Sequence, residues 1–153
     1  MEFKFEVFAR IERPVAQVYA AVQQPQHLQK YFTTKRASAP LTKGATVIWD
    51  FADYPGEFPI EVKDAVDNKL IAFAWKAMDG DYTTTTEFVF EPQADNSTIV
   101  RVRESGWQET QKGLESAFGN CFGWTQMLCS LKVYLEHGIS LREGFFKPVQ
   151  KAA

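Results

Sequence analysis

The chain has 153 residues, enough for one domain with a substantial buried core. Hydrophobic residues make up 45% and charged residues 24%, and the formal charge of −2 gives no electrostatic reason to bind nucleic acid or an anionic membrane. No apolar run reaches the roughly 18 residues that a membrane span needs, and Met1-Glu2-Phe3-Lys4 does not open a signal peptide.

Aromatic residues are abundant at 14%, with 13 Phe and 4 Trp, so the interior is expected to be rich in rings. Cys121 and Cys129 fall eight apart on one predicted helix, about 12 Å along its axis, too far to form a disulfide. Two unpaired thiols suit a reducing cytoplasm, which is the expected location. Their spacing matches no metal-ligand motif, and neither a metal nor a cofactor is expected.

Phe3, Phe5, Val7, Ala9 and Ile11 alternate with Glu2, Lys4, Glu6, Arg10 and Glu12, the pattern of a half-buried strand. Phe8 is the one intruder on the polar side. Pro14 suits the first position of a helix, in which Val15, Val18, Tyr19 and Val22 recur at helical spacing. Pro25 ends it and opens a second short helix carrying Leu28, Tyr31 and Phe32. Residues 33–44 are polar and read as a long connection.

From Ala45 the period becomes two. Val47, Trp49 and Phe51 alternate, Tyr54-Pro55-Gly56 turns the chain, and Phe58, Ile60 and Val62 follow. Asp67-Asn68 ends that strand before Ile71, Phe73 and Trp75, and Asp79-Gly80-Asp81 is a hairpin signal. Residues 82–91 form a long strand with Thr84, Thr86, Phe88 and Phe90 on one face. A turn at 92–97 leads to the last strand, 99–105, with Val100 and Val102 on one side.

Residues 114–138 close the order with a helix. At about 100° per residue, Ala117, Cys121, Trp124, Leu128, Leu131 and Leu135 fall in a stripe of roughly 80°, the face a helix buries on a sheet. Gly119, Gly123, Gln126, Ser130 and His137 gather on the far side, which is expected to face solvent. His137 and Gly138 supply a stop. The two internal glycines cost on the order of 1 kcal/mol each, so packing must hold this helix. Strands followed by a helix give an α+β fold: a curved antiparallel sheet of about six strands wrapped around the long C-terminal helix. Residues 1–145 are expected to form one domain and 146–153 a flexible tail.

The chain resembles the START-like (SRPBCC) helix-grip superfamily, and within it the activator of heat-shock-protein-90 ATPase homologue family. The likeness is carried by Arg13-Pro14-Val15-Ala16-Gln17-Val18-Tyr19, by residues 28–32, and by Glu104-Ser105-Gly106-Trp107. Gly123-Trp124 with Leu128, Leu131 and Tyr134-Leu135 completes it on the long helix. Tyr31 departs from it, standing where many members have tryptophan. The resemblance implies a hydrophobic cavity between helix and sheet. It does not imply chaperone activation, because the co-chaperone that named the family carries an extra amino-terminal domain for which this chain has no room.

Phe32, Trp49, Phe73, Trp75, Phe88, Trp107 and Trp124, with Leu128 and Leu131, are the candidate wall of a ligand cavity, although the same rings would serve a filled core. Thr84, Thr86 and Glu104 are the polar residues of the inner face. The threonines are either ligand anchors or ordinary β-branched strand residues. Glu104 points inward if the alternation with Val100 and Val102 persists, and a carboxylate there must be paired or hydrogen-bonded. A bulge at the strand end would expose it instead. His27 and His137 fall on predicted surfaces, and there is no HExxH, serine elbow or phosphate-cradling glycine loop. Asp50 and Asp53, like Asp79 and Asp81, sit where turns use aspartate. Phe118, Phe122, Cys129 and Val133 form a second apolar strip that either packs beneath the N-terminal segment or serves as a weak dimer surface.

The expected function is binding of a small hydrophobic or amphipathic molecule between sheet and helix, by a monomer or weak homodimer. No catalytic residue is assigned. The alternatives are a cyclase- or hydrolase-type enzyme using a pocket carboxylate and, on the family name alone, a chaperone-interaction module.

Overall fold

The computed structural model describes residues 1–147. Its elements are β1 (Phe3–Ile11), α1 (Val15–Gln23), α2 (Pro25–Tyr31), β2 (Thr34–Ala37), β3 (Thr46–Phe51), β4 (Tyr54–Val66), β5 (Leu70–Lys76), β6 (Thr83–Pro92), β7 (Thr98–Trp107) and α3 (Gln111–His137). The strands form one antiparallel sheet in the order β1-β7-β6-β5-β4-β3-β2. The α+β helix-grip arrangement is therefore present, with seven strands where the sequence pattern shows six. The added strand, β2, lies inside the polar connection. It has only Ala37 buried, while Lys35 and Arg36 are exposed, so no period-2 pattern marks it. Those charges suit a strand at the sheet edge, where they discourage pairing with other chains. Lys35 pairs with Asp50 of β3 at 2.9 Å, and Arg36 with Glu57 of β4 at 3.2 Å.

β1 shows the expected alternation, with Phe8 exposed and capped by the Arg101 guanidinium 5.3 Å above its ring. Pro14 stands one residue earlier than expected, as the N-cap of α1, whereas Pro25 does open α2. Helix α3 begins at Thr110, whose hydroxyl accepts from the Gly113 amide at 3.0 Å, and ends at Gly138 in the left-handed conformation, φ 68°. On its inner face Ala117, Trp124, Leu128 and Leu131 are buried, while Cys121 and Leu135 lie at the margins. They close the core against Ile11, Val47, Ile60, Ile71, Phe88 and Val102 from the sheet.

The far face of α3 departs from the expectation. Gln126 and Ser130 are buried, and the Gln126 amide donates to the Ser130 hydroxyl at 2.9 Å. Beside that face runs an irregular segment that periodicity does not register. After Gly138 the chain turns back, bringing Phe145 and Phe146 to ring separations of 6.4 and 6.2 Å from Phe122. Phe122, Gln126 and Ser130 are spaced four apart and share one row of the helix. The second apolar strip thus meets the chain's own C-terminal residues at Phe122, although Phe122 stays 57% and Phe118 66% exposed. Of the expected tail 146–153, Phe146 and Lys147 are placed in and after this turn, and 148–153 lie outside the described residues.

Candidate ligand-binding site

The centre of the site is Glu104, and backbone geometry determines where it points. Along β7, Thr98, Val100, Val102 and Glu104 are buried in alternation. A bulge does interrupt the strand, but at Gly106, where φ is 104° and the register against β1 shifts. Because it lies two residues beyond Glu104, the carboxylate stays inward and 1% exposed, and Trp107 is brought to the inner face in its turn.

Four donors converge on this carboxylate. Oε1 accepts from Trp75 Nε1 at 2.9 Å, Thr84 Oγ1 at 2.7 Å and Asn120 Nδ2 at 2.9 Å, and Oε2 accepts from Trp124 Nε1 at 2.6 Å. They come from β5, β6 and α3. Trp75 and Thr84 are register partners across β5 and β6, and Asn120 and Trp124 stand one helical turn apart. Every partner is neutral and every partner donates. A buried carboxylate is thereby hydrogen-bonded without being neutralised. Burial raises its pKa above the ordinary glutamate value, and the four hydrogen bonds oppose that rise.

Above Glu104 lies an open cavity of about 550 Å³. Trp75, Asn120 and Trp124 form its floor, each turning its N–H away toward Glu104. Phe32, Phe51, Tyr54, Phe58, Met78 and Phe146 make the walls, and Gly119 and Gly123 of α3 sit at the side. A Cβ built on either glycine would meet no atom within 4 Å. No packing contact therefore demands glycine at these two helical positions, although glycine is the costlier residue in a helix. What their missing side chains do leave is room in the cavity.

Arg142 completes the wall from the segment after α3. Its Nε and Nη2 donate to both oxygens of Asp53 at 2.6 and 2.8 Å, a two-pronged ion pair. The guanidinium also stands 5.8 Å from the Phe32 ring, 5.1 Å from Phe51 and 4.5 Å from Phe146. With Phe146, this pair separates the cavity from a second, more polar one of about 540 Å³ that includes Gln29, Lys30, Glu143 and Lys147.

Of the residues singled out in the sequence, Phe32, Trp75 and Trp124 line the cavity, with Glu104 and Thr84 immediately beneath its floor. Trp49, Phe73, Phe88, Leu128 and Leu131 are fully enclosed core, where Phe88 meets Trp124 edge-on at 5.4 Å and Trp49 meets Phe73 likewise at 5.4 Å. Thr86 is buried opposite Glu104 and its hydroxyl makes no hydrogen bond with a described residue. Trp107 stacks on Phe5 at 5.4 Å, away from the lining. Tyr31, the departure from the family pattern, does not reach the cavity; it is buried, donates to the Ala21 carbonyl at 3.0 Å and stacks on Tyr134.

Asn120, Asp53, Arg142, Phe51, Tyr54, Phe58, Met78 and Phe146 were not among the expected site residues. Asn120 was detectable, being one turn before Trp124 and on the same side. Asp53 and Arg142 were not, since they lie 89 residues apart and meet only through the reversal after α3.

A curved sheet gripping a long helix, with an aromatic cavity between them, defines a helix-grip domain of the START-like class. The sequence matches the family described as activator of Hsp90 ATPase homolog 1-like protein over residues 12–136, and the chain belongs to that family. A comparison with curated proteins finds no match. Among solved structures, the chain is similar to protein SSP2350 from Staphylococcus saprophyticus, at 26% identity and TM-score 0.77, covering 92% of this chain and 96% of that one. It is also similar to DynU16, a putative protein in the dynemicin biosynthetic locus, at 25% identity and TM-score 0.77. That match covers 88% of this chain but only 48% of DynU16, so this chain spans about half its length. The Aha1 dimer from Colwellia psychrerythraea shares the fold at 24% identity and TM-score 0.74, with 89% and 98% covered.

Proposed function

We propose that the protein binds a small hydrophobic or amphipathic molecule in the cavity between the sheet, α3 and the segment around Arg142. The observation that carries this is the cavity itself: about 550 Å³, aromatic on most sides, with a few convergent polar groups. That size and chemistry are those of small-molecule sites in general. The two glycines of α3 support it, because nothing but the cavity benefits from their lack of side chains. A binding role is favoured over a carboxylate-based enzyme by the state of Glu104. It is 1% exposed and engaged by four donors, so a molecule in the cavity meets Trp75, Asn120 and Trp124 rather than the carboxylate. Proton abstraction needs direct contact or one intervening water.

The test is a thermal-shift screen of apolar and amphipathic molecules, read in parallel by intrinsic tryptophan fluorescence, to which Trp75 and Trp124 contribute from the cavity lining. A ligand at 100 times its Kd stabilises the fold by about 2.7 kcal/mol, a shift of several degrees. Binding by wild type that is lost in Gly123→Leu supports the cavity as the site. Binding that Gly123→Leu leaves intact argues against it.

A further inference from the structure

We infer that the cavity selects an organic cation, an amphipathic amine or ammonium with an apolar body, over neutral and anionic molecules of the same shape. The inference rests on the cavity being a ligand site and adds the charge class of the ligand. Three features of the structure point to it.

The first is net charge. Among the described residues that line the cavity, the charged ones are Asp53 and Arg142, and they neutralise each other in a two-pronged pair. Glu104, beneath the floor, has no cationic partner, since all four of its hydrogen-bond donors are uncharged. In its ionised form, which the four donors stabilise, Glu104 leaves the cavity with one negative charge that no cation among the described residues offsets, separated from the cavity by a single layer of side chains. In such a setting an opposite charge is favoured and a like charge is excluded.

The second is the polarity of the floor. Trp75 and Trp124 spend their N–H groups on Glu104, so what they turn toward the cavity is ring rather than donor, chiefly the ring of the half-buried Trp75. Asn120 donates through Nδ2 to the same carboxylate, which leaves its carbonyl oxygen as the group free to accept from a ligand. A ligand head thus meets π faces and an acceptor, the surroundings an ammonium prefers.

The third is that the wall already holds a cation. The Arg142 guanidinium stands within 6 Å of three aromatic rings, Phe32, Phe51 and Phe146. Deeper in the same cavity, Trp75 and Trp124 pair at 5.4 Å with their planes at 42°, and Phe32 stacks on Trp124 at 5.7 Å. Trp124 and Phe32 are 2% and 5% exposed, so the half-buried Trp75 ring is the face this group offers the cavity beside Glu104, and no cation among the described residues stands over it.

The experiment uses matched probes. Naphthyl, adamantyl and dodecyl bodies are each presented as a primary ammonium, an alcohol and a carboxylate at pH 7.5, and affinities are measured by calorimetry. At least one body should bind, with the ammonium preferred over the alcohol and the carboxylate by roughly tenfold or more. Glu104→Gln should bring the ammonium and alcohol to similar affinities. Because that change sets an amide N–H₂ among four donors and threatens folding, Met78→Lys is the second variant. Met78 is 55% exposed at the cavity rim, so a lysine there adds positive charge without filling the cavity, and the ammonium-to-alcohol ratio should fall toward one. Equal affinities in wild type, a preference for the carboxylate, or an ammonium preference that survives in the folded variants would overturn the cation inference and leave the binding function standing. If no body binds in any form, the binding function and the cation inference fall together.

Discussion

At the scale of the residue, Glu104 is a buried carboxylate with no ion-pair partner among the described residues. Removing it by Glu104→Ala would leave two indoles, a hydroxyl and an amide without their acceptor, each buried unsatisfied donor costing roughly 1–3 kcal/mol. Its titration has a defined sign. Burial raises the folded pKa above the unfolded value near 4.5, so between those two values the native state holds more protons than the unfolded chain. This contribution therefore increases stability as pH falls through the folded pKa, and its full cost is felt above that pKa. His27 acts oppositely. Burial, and then Lys30, depress its pKa below 6.5, so the stability of its neutral ring is present above 6.5 and lost as pH falls through the folded value. Melting temperatures of wild type and Glu104→Gln between pH 4 and 8 separate the two, since His27 is common to both. The difference between them should shift in favour of wild type as pH falls; a constant difference would mean that Glu104 does not titrate in that range.

Leu131 and Gln126 give a second residue-scale test, because both are buried on α3 for different reasons. Leu131→Ala removes a fully enclosed side chain and should cost roughly 2–5 kcal/mol by chemical denaturation. Gln126→Ala removes one buried neutral hydrogen bond to Ser130 and should cost about 0.5–1.5 kcal/mol. No loss at Gln126 would place that face in solvent after all.

At the scale of the element, the parts of the fold written as periodic patterns could be read directly. β1, β6, β7 and the inner stripe of α3 alternate or recur as their burial does. β2 could not be read, since four residues with one buried alanine carry no period. Nor could the reversal after Gly138, which has no regular structure yet brings Phe145 and Phe146 to Phe122 and delivers Arg142 to Asp53. Glu104 was legible in part: parity pointed it inward, but the four donors come from three other stretches of chain and required the assembled sheet. The glycines of α3 were legible only as a cost. With no atom near a built Cβ, Gly119→Ala should stabilise the protein by about 0.5–1 kcal/mol in a denaturant titration. A destabilisation would reveal a steric demand that the open surroundings of Gly119 do not show.

At the scale of the whole molecule, the sheet supplies most of the aromatic wall, α3 supplies the floor and the gap left by two glycines, and the segment after α3 closes one side through Arg142 and Phe146. Much of the ring-rich interior is filled: Trp49, Phe73 and Phe88 are enclosed, and the cavity lies at the end of the grip near Asp53 and Tyr54. The central claim is that this remaining space is a binding site. It is tested most directly by titrating wild type and Gly123→Leu with the same molecule from the screen, and comparing both their melting temperatures without ligand and the shift on adding it. The account predicts that Gly123→Leu is at least as stable as wild type on its own and shows no ligand-induced shift. A variant that is equally stable and shifts as wild type does would contradict it.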